Sequence, residues 1–491
     1  MISIFRNLHE VIQEIEHNWA TKRLLVVGDV MIDKYIWGEV GRISPEAPVP
    51  VVTATHQSQQ PGGAANVAMN IARLGATAHV VGFTGGDEDE LQLAKLLRSE
   101  GIRSEFIDCQ GFPTITKQRI IAGRQQMLRL DNERLGNRVQ ADYDRLVASA
   151  LALIPGTDAV ILSDYAKGVL TPEVCQAIIE AARRLSIPVL VDPKSIDFSR
   201  YRGATTICPN LGELSLATHV PSRDLNDLYD AAEAMVPELD LEFLTATLSD
   251  KGIALIRPGY RLLAPAVSRQ VFDVSGAGDT VIAVLALCLA SGLSSETGVQ
   301  LANVAAGVVV GKVGTVPVEK HELLAALSAD IALNAQDKVV ELPELVTRVA
   351  LWKANGERVV YTSGCFDLLH VGHITLIEQA RRFGDRLIVA INNDASVKSL
   401  KGPARPFATE NDRARVLAAL AAVDAVVVSG ESNSLDVILA VRPDVLVKGG
   451  DHNFDAIAGA TEMQSWGGQV KVVSIVEGYS THGLTARSPG R

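Results

Sequence analysis

Short apolar runs alternate with amphipathic stretches along nearly the whole chain, and this alternation constrains the fold more than any other feature. In the first half of the chain, buried strands are predicted at RLLVVGD (23–29), AHVVGF (78–83), DAVILSD (158–164) and PVLVDP (188–193). The helical patterns that accompany them cover residues 63–74, 88–100 and 172–185. Strands that alternate with helices form a mostly parallel sheet covered by helices, so we expect an α/β fold.

Two stretches depart from this alternation. Residues 112–130, FPTITKQRIIAGRQQMLRL, alternate as strands do around a central glycine, which predicts a hairpin. Residues 40–54 contain three prolines and should be extended. We expect the two stretches to form a small accessory β-sheet that serves either as a lid or as an interface.

The strand pattern stops after residue 315 and resumes at residue 358. Residues 316–346 are charged and typical of helices. Strands are then predicted at RVVYTSG (358–364), DRLIVAIN (385–392), DAVVVSG (424–430), DVLVKGG (444–450) and QVKVVSI (469–475). We therefore expect an α/β domain at 1–320, a linker at 321–344 and a smaller α/β domain at 345–491. No tandem repeat relates the two domains, so they should be different modules.

Composition excludes several classes of protein. The 491 residues include 46 Lys+Arg against 57 Asp+Glu, and a net charge of -11 argues against a nucleic-acid binder. No apolar run reaches the ~18–20 residues of a membrane span, and the charged N-terminus does not resemble a signal peptide. The five cysteines are scattered and form no CxxC, which argues against disulfides and a thiolate zinc site. We expect a cytoplasmic protein that does not bind membranes.

A glycine-rich turn ending in an aspartate opens the apolar helix at 277–290. The turn consists of Ser275, Gly276, Ala277, Gly278 and Asp279. Small residues let a phosphate approach the backbone, and a helix N-terminus offers it free N–H groups. The Asp279 carboxylate could take a proton from an attacking hydroxyl during phosphoryl transfer. The alternative is a plain helix cap.

Polar residues at other strand and helix ends could complete such a site. In PGGAANVA (61–68), Gly62 and Gly63 permit close approach of a small polar ligand, and Asn66 could bind its hydroxyls. Asp29 and Asp33 follow the first predicted strand, at the edge where α/β sheets bind ligands.

Two further strands are followed by groups suited to phosphate and metal. In CPNLGE (208–213), Asn210 and Glu213 could orient a hydrated Mg²⁺ or a phosphate. Lys167 and Lys194 also follow strands and could neutralise phosphate charge.

PGGAANVA and DVSGAGDT (273–280), in this order, resemble the ribokinase family of sugar kinases over about residues 20–315. The resemblance implies that Asp279 is the catalytic base and that residues 275–278 form the anion hole. It implies that ATP contacts Lys194, Asn210, Leu211, Gly212, Glu213, Gly252 and Asn303. It implies that the sugar contacts Asp29, Asp33, Gly62, Gly63 and Asn66.

A second candidate site lies in SGCFDLLHVGHITLIEQA (363–380), which follows a predicted strand. His370 and His373 can share one face at the start of a helix, where Gly372 permits close approach and the helix N-terminus favours anions. Such imidazoles could stabilise phosphate charge during nucleotidyl transfer. Two core histidines, or a zinc site that finds a third ligand, are the alternatives.

GxFDxxHxGH resembles the cytidylyltransferase-like superfamily over about residues 358–480. The resemblance implies nucleotide or phosphate contacts at Gly364, Phe366, Asp367, Lys401, Arg405, Lys448, Gly449, Asp451, Ser480 and Thr481. Lys398 and Arg413 are nearby cations, although Arg405 and Arg413 could instead form a solvated face. His482 and the Pro-Gly-Arg tail depart from the family pattern.

The order of the two modules resembles the family of bifunctional heptose 7-phosphate kinases and heptose 1-phosphate adenylyltransferases. RISPEAPVPVV (42–52), SDYAKG (163–168), YRGAT (201–205) and LVKGGD (446–451) add to the resemblance. It implies ADP-heptose synthesis for the lipopolysaccharide core, with phosphorylation of D-glycero-β-D-manno-heptose 7-phosphate at O1 and AMP transfer to heptose 1-phosphate. Because ATP phosphates must be neutralised in both transfers, we expect Mg²⁺ with ATP, and no tightly bound metal since neither domain offers a Cys/His cage. We also expect a homodimer joined through residues 40–54 and 112–130, and a separate phosphatase that acts between the two steps.

Two alternatives remain open. One is a generic sugar kinase joined to a cytidylyltransferase that uses CTP. The other is a non-catalytic protein that binds sugar phosphates, although such a protein has no chemical need for Asp279 or the pair His370 and His373.

Overall fold

The computed structural model describes residues 8–123, 125–134, 136, 138–266, 274–312, 314–333, 338–354, 356–430, 433–450 and 457–473. The chain divides into two compact units, Met1–Leu327 and Ser328–Arg491. The predicted linker, 321–344, begins within one helix, Lys320–Leu333, and ends within another, Leu342–Ala354.

The first unit alternates strands with helices, as its sequence predicts. Its strands are β1 (Arg23–Gly28), β2 (Val30–Ile43), β3 (Pro50–Gly63), β4 (Thr77–Thr84), β5 (Arg103–Asp108), β6 (Thr116–Ala122), β7 (Gln125–Asn132), β8 (Ala159–Ser163), β9 (Val189–Asp192), β10 (Thr206–Ile207), β11 (Phe243–Thr247), β12 (Ile253–Arg257) and β13 (Tyr260–Ala264). Its helices are α1 (Leu8–Gln13), α2 (Ala64–Arg73), α3 (Glu88–Ser99), α4 (Gln140–Leu153), α5 (Pro172–Arg184), α6 (Leu211–Thr218), α7 (Leu225–Glu238), α8 (Ala277–Ala290) and α9 (Ser295–Val309). Helix α10 (Lys320–Leu333) crosses the boundary between the units.

A nine-stranded sheet in the order β13-β12-β11-β10-β9-β8-β1-β4-β5 forms the centre of this unit. Its strands are parallel from β5 to β11, and β12 and β13 add an antiparallel edge. Leu24 and Val26 of β1 pack into one core and Leu25 and Val27 into another, on opposite faces. Burial on both faces explains why the strands read as continuous apolar runs.

The predicted accessory sheet is present, with strand order β3-β2-β6-β7. The hairpin β6–β7 turns at Gly123, whose φ of 59° lies in the left-handed region. Strand β2 continues directly from β1 past Asp29, and β3 runs directly into α2. Because β2 and β3 pair from Val30↔Gly63 onward, the accessory sheet starts beside the predicted sugar site.

The apolar runs of helices α8 and α9 belong to the core. Residues 279–288 of α8 are buried, and they pack against α2 and α9. Within the described part of the chain, no helix combines the length and apolar character needed to cross a membrane.

The second unit is a five-stranded parallel sheet in the order β16-β15-β14-β17-β18. Its strands are β14 (Val359–Gly364), β15 (Arg386–Asn392), β16 (Ala425–Ser429), β17 (Val445–Gly449) and β18 (Gln469–Val473). Its helices are α11 (Leu342–Ala354), α12 (Val371–Arg381), α13 (Asp394–Lys401), α14 (Glu410–Ala418), α15 (Asn433–Val441) and α16 (Ala460–Ser465). All five predicted strands are present, except that residues 474 and 475 lie outside the described residues.

Two candidate active sites

Asp279 lies in the first turn of α8, where three elements meet. Its Oδ2 accepts a hydrogen bond from Asn66 Nδ2 of α2 at 2.6 Å, and its Oδ1 accepts one from the Tyr165 hydroxyl at 2.7 Å. Only 4% of the residue is exposed. Burial raises the pKa of Asp279 to about 6, and the two hydrogen bonds oppose that rise because they favour the ionised carboxylate. The site therefore holds an oriented carboxylate that can accept a proton near neutral pH.

Tyr165 is a site residue that the sequence analysis missed, and Asp29 explains its position. The Asp29 carboxylate accepts hydrogen bonds from the backbone N–H groups of Tyr165 (2.9 Å), Lys167 (2.9 Å) and Val169 (3.2 Å). Asp29 is 1% exposed, and burial raises its pKa to about 6. The expected sugar contact of Asp29 is thus corrected to a structural role, because its carboxylate faces the loop after β8 rather than open space.

Asp33, Gly62 and Gly63 lie where β2 and β3 pair. The buried Asp33 carboxylate forms an ion pair with Arg119 of β6. A side chain at Gly62 would place its Cβ 2.5 Å from Asp33 Oδ2. At Gly63, where φ is 58°, a Cβ would lie 2.3 Å from the Asp29 carbonyl oxygen. Both glycines are therefore required by close packing of the strands.

A cavity of about 750 Å³ opens beside Asp279. Every residue expected to contact ATP lines it: Lys194, Asn210, Leu211, Gly212, Glu213, Gly252 and Asn303. Gly276, Ala277 and Gly278 also line it, at the start of α8, whereas Ser275 is not among the lining residues. Ile253, Val281, Ala306 and Val310 give the cavity an apolar portion. The cavity thus combines polar groups near Asp279 with apolar space of the kind that a nucleobase occupies.

Asn210 and Glu213 form a capping box at the start of α6. Asn210 Oδ1 accepts from the Glu213 backbone N–H at 2.9 Å, and Glu213 Oε2 accepts from the Asn210 backbone N–H at 2.9 Å. Lys194 donates to Glu213 Oε1 at 2.8 Å. The two side chains of the helix cap and the lysine that pairs with Glu213 all line the cavity.

Asp192 is a second residue that the sequence analysis missed, although it ends β9 two residues before Lys194. It lines the cavity, and burial together with the charges of Asp279 and Glu213 raises its pKa well above the usual range. Its position at a strand end in VDPK was the available signal.

Two other cavity residues also serve the backbone. Asn303 Nδ2 donates to the Pro265 carbonyl oxygen at 2.8 Å, which fixes the chain after β13. Gly252 has a φ of 100°, and a Cβ there would lie 2.0 Å from the Ala264 carbonyl oxygen.

The second site begins at His370, the N-cap residue of α12. The rings of His370 and His373 stack with centroids 3.8 Å apart, and the Phe366 ring lies 5.1 Å from that of His373. Burial lowers the pKa of His373 to about 4, and burial with nearby Lys401 lowers that of His370. Both imidazoles are therefore neutral near pH 7, and each offers one N–H donor.

Asp367, Arg405 and Arg413 have structural partners. The buried Asp367 carboxylate pairs with Arg405 and accepts from the Phe407 backbone N–H at 2.7 Å. Arg413 donates to the Cys365 carbonyl oxygen at 2.6 Å and to Asp394 at 2.7 Å. Arg413 is buried, so the suggestion that it belongs to a solvated face is wrong.

Lys448 lies at the carboxyl end of β17. Its ammonium donates to Ser363 Oγ of the neighbouring β14 at 2.6 Å, and burial lowers its pKa. Gly364 and Gly449 end the same two strands, and exposed Lys401 ends α13. The remaining predicted residues, Asp451, Ser480 and Thr481, lie outside the described residues. In the described ranges, no group of three or more His, Cys, Asp or Glu side chains could hold a metal ion.

Comparison with known proteins assigns both units. Residues 21–321 match the pfkB family of carbohydrate kinases, and residues 361–485 match the cytidylyltransferase-like family. Phosphofructokinase-2 from Escherichia coli superimposes with a TM-score of 0.55 at 20% identity, covering 63% of this chain and 98% of that one. Arabidopsis thaliana ribokinase gives a TM-score of 0.50 at 22% identity, covering 62% and 98%. These similarities confirm the ribokinase-like fold.

Full-length relatives align with this chain across both units. The bifunctional protein HldE of Koribacter versatilis is 62% identical over 475 residues, covering 97% of this chain and 98% of that protein. The HldE proteins of Magnetococcus marinus and Methylobacillus flagellatus are 48% and 49% identical and cover 97% and 94% of this chain. The chain therefore belongs to the family of bifunctional HldE proteins, which join a pfkB-family carbohydrate kinase to a cytidylyltransferase-like domain.

Proposed function

We propose that this chain catalyses two steps of ADP-heptose synthesis for the lipopolysaccharide core. The kinase phosphorylates D-glycero-β-D-manno-heptose 7-phosphate at O1 with ATP. The adenylyltransferase transfers AMP from ATP to heptose 1-phosphate and releases pyrophosphate. The 62% identity to an HldE protein along nearly the whole chain is the observation that supports this function best.

In the kinase, Asp279 acts as the general base. Asn66 and Tyr165 hold its two oxygens, so the carboxylate has a fixed direction toward the acceptor hydroxyl. Its pKa of about 6 leaves it mostly ionised at pH 7 yet basic enough to take the O1 proton as the O1–P bond forms. The N–H groups at the start of α8 stabilise the charge of the transferred phosphoryl group, and ADP leaves.

ATP-dependent phosphoryl transfer needs a divalent cation, and we assign Mg²⁺ to both reactions. In the kinase cavity, Asp192 and Glu213 supply carboxylate oxygens suited to hydrated Mg²⁺. Burial and, after it, repulsion by the carboxylates of Asp279 and Glu213 raise the pKa of Asp192, and a cation would relieve that repulsion. Activity should disappear with a chelator and return with Mg²⁺. Chelator-washed protein that retains stoichiometric zinc and needs it for activity would contradict this assignment.

In the adenylyltransferase, a phosphate oxygen of heptose 1-phosphate attacks the α-phosphorus of ATP, and the bond to pyrophosphate breaks. Neutral His370 and His373 donate hydrogen bonds to the phosphates rather than adding charge. Lys401 and Lys448 supply the positive charge, since Arg413 is fully engaged by the protein. The site positions groups and stabilises charge without a covalent intermediate.

We propose that the chain forms a homodimer through its accessory sheet. Ile43, Leu128 and Leu130 on β2 and β7 are 68%, 54% and 56% exposed, and an uncovered apolar β edge promotes association. Light scattering should show a dimer at micromolar concentration. The double variant Leu128→Asp/Leu130→Asp should be monomeric, whereas Leu91→Asp, at an exposed leucine of α3, should not change the assembly.

The chemistry of the two steps requires a third enzyme. The kinase product has phosphates at positions 1 and 7, whereas the transferase acceptor has a phosphate at position 1 only. We propose that a separate phosphatase removes the 7-phosphate between the steps. Because both reactions consume ATP, we place them in the cytoplasm.

Purified protein tests the proposal directly. It should form ADP from ATP and heptose 7-phosphate, and pyrophosphate from ATP and heptose 1-phosphate. Preference for CTP in the second assay would favour the cytidylyltransferase alternative. Binding without turnover in either assay would favour a sugar-phosphate binding protein.

A further inference from the structure

Charged side chains from the accessory sheet and the loop after β8 gather beside the kinase site. Lys117 of β6 lies in register with Asp33 of β2, and Arg119 is two residues further on the same face. Arg119 pairs with Asp33. Lys167, from the loop that carries Tyr165, pairs with Glu133 at 2.7 Å.

Lys117 differs from these cations because its ammonium has no ion pair or hydrogen bond with any residue that the structure describes. Its side chain is partly buried, and its Nζ lies 5.7 Å from the centroid of the Tyr165 ring. The hydroxyl of that same tyrosine donates to Asp279. Burial lowers the pKa of Lys117, Asp33 opposes this, and Lys167 adds to it.

The ammonium of Lys117 lacks an anion that pairs with it. Partial burial of an ammonium costs free energy unless a partner compensates, and a cation–π contact compensates only in part. The two carboxylates in register with Lys117 on the neighbouring strands, Asp33 and Asp131, are already paired with Arg119 and Arg129. A ligand that brings its own negative charge would complete the cluster.

The position of Lys117 indicates which ligand this is. Tyr165 and Asp279 line the nucleotide cavity, but Lys117 does not, so the phosphates of ATP are not its natural partner. It lies instead on the accessory sheet, which begins at the pairing of Val30 with Gly63 beside the predicted sugar residues. The charge of Lys117 lowers the pKa of Asp279, and its ammonium lies by the ring of the tyrosine that donates to this carboxylate. An acceptor whose reacting hydroxyl reaches Asp279 therefore has Lys117 beside it.

We propose that Lys117 binds the phosphate monoester that the sugar acceptor already contains, and so makes the kinase prefer a sugar phosphate over a free sugar. This inference rests on the proposed kinase function. The Asp33–Arg119 ion pair keeps the neighbouring charges balanced, so that the ammonium of Lys117 is available to the incoming phosphate.

The experiment compares Lys117→Gln and Lys117→Arg in the full-length protein, with heptose 7-phosphate and unphosphorylated heptose as acceptors. The ratio of kcat/KM for the phosphorylated over the unphosphorylated acceptor should fall roughly 10- to 100-fold in Lys117→Gln, the scale of a hydrogen bond to a charged group. Lys117→Arg should keep most of the preference, and the KM for ATP should not change.

Lys34→Gln is the matched control. Lys34 lies next to Asp33 on the opposite face of β2 and pairs with Asp89 at 2.5 Å, so this variant removes the same charge from the same sheet. It should leave the acceptor preference at the wild-type value. Thermal unfolding of all variants reports whether the sheet still folds.

Calorimetric titration of heptose 7-phosphate into Asp279→Asn protein, which cannot turn over efficiently, gives a second readout. Adding Lys117→Gln should weaken binding roughly 10- to 100-fold. Equal losses for both acceptors, a raised KM for ATP, or unchanged heptose 7-phosphate binding would each overturn the assignment. Failure of the wild-type protein to phosphorylate any sugar phosphate would instead overturn the proposed kinase function.

Discussion

At the scale of single residues, Asp279 determines how the kinase should respond to pH. Burial raises the pKa of this carboxyl to about 6, and the proposed base must be ionised to accept a proton. The ionised fraction grows as pH rises through about 6. Kinase kcat/KM should therefore fall as the pH is lowered below about 6, with the protein still folded.

Tyr165→Phe tests whether the tyrosine hydroxyl sets that pKa. The hydroxyl donates to Asp279 and favours its ionised form, so its loss should raise the pKa of Asp279 above about 6. The acid limb of the kinase profile should move up by about one pH unit. Activity should therefore be reduced strongly at pH 6.5 and much less at pH 8.5. Tyr260→Phe, at an exposed tyrosine of β13, should keep the wild-type profile. A loss in Tyr165→Phe that is the same at every pH would show that the hydroxyl does not act through this carboxylate.

The positions of single residues could be predicted from sequence where a motif determines the backbone around them. The role of a side chain could not be predicted where it depends on a partner that is distant in sequence. Asp279 and the stacked pair His370 and His373 lie at helix starts, as expected. Asp29 follows a strand as a ligand-binding aspartate would, but its carboxylate faces three N–H groups of a loop more than 130 residues away. Tyr165 could not be predicted, because its contact with Asp279 exists only once β8 and α8 are adjacent.

At the scale of secondary structure elements, two glycines at the start of α8 differ in their role. The fold requires Gly276, whereas we propose that Gly278 is required for ATP binding. Gly276 has a φ of 79°, and a Cβ there would lie 3.1 Å from Asn66 Nδ2, so folding itself requires this glycine. Gly278 is different, because a Cβ there would meet no atom within 4 Å, yet the residue lines the ATP cavity.

Gly278→Ala should therefore fold normally and lose kinase activity. The added methyl occupies space that the phosphates of ATP need at the helix N-terminus, and kinase kcat/KM should fall by roughly 10- to 100-fold. The melting temperature should not decrease, since alanine favours helix. Gly298→Ala in α9 is the opposite control, because its Cβ would lie 2.8 Å from Leu285 Cδ1 in the core. That variant should lose stability. A Gly278→Ala protein with wild-type kinase activity would contradict the anion-hole role.

The accessory sheet shows which strands the sequence pattern predicts by itself and which it does not. Alternation around Gly123 predicted the hairpin, and β6–β7 forms there. Strand β2 begins at Val30, earlier than the extended segment predicted at 40–54. The sequence did not predict this start because VMIDKYIW mixes buried apolar and charged residues and lacks a simple period. Its register is set by pairing with β3 and β6, which are distant in sequence.

At the scale of the whole molecule, the two units contain different sets of candidate catalytic groups. The first offers a carboxylate base beside a helix N-terminus, and the second offers neutral imidazoles with nearby lysines. The interruption of the strand pattern between residues 315 and 358, and the absence of any tandem repeat, made two modules predictable from sequence. The specific sugar was not predictable from residue patterns, since it depends on the shape of a site assembled from several distant segments.

The two activities should therefore be separable by single substitutions. Asp279→Asn should lower kinase turnover by roughly 10²-fold or more, because the variant keeps the shape and loses the proton acceptor. Pyrophosphate release with supplied heptose 1-phosphate should be nearly unchanged. His373→Ala should have the reverse effect, with a loss of roughly 10²–10³-fold in adenylyl transfer only. Wild-type protein given heptose 7-phosphate and ATP alone should stop at the bisphosphate, and addition of a phosphatase specific for the 7-phosphate should allow ADP-heptose to form. A folded Asp279→Asn protein that lacks both activities, or ADP-heptose made without a phosphatase, would refute the assignment of two independent sites.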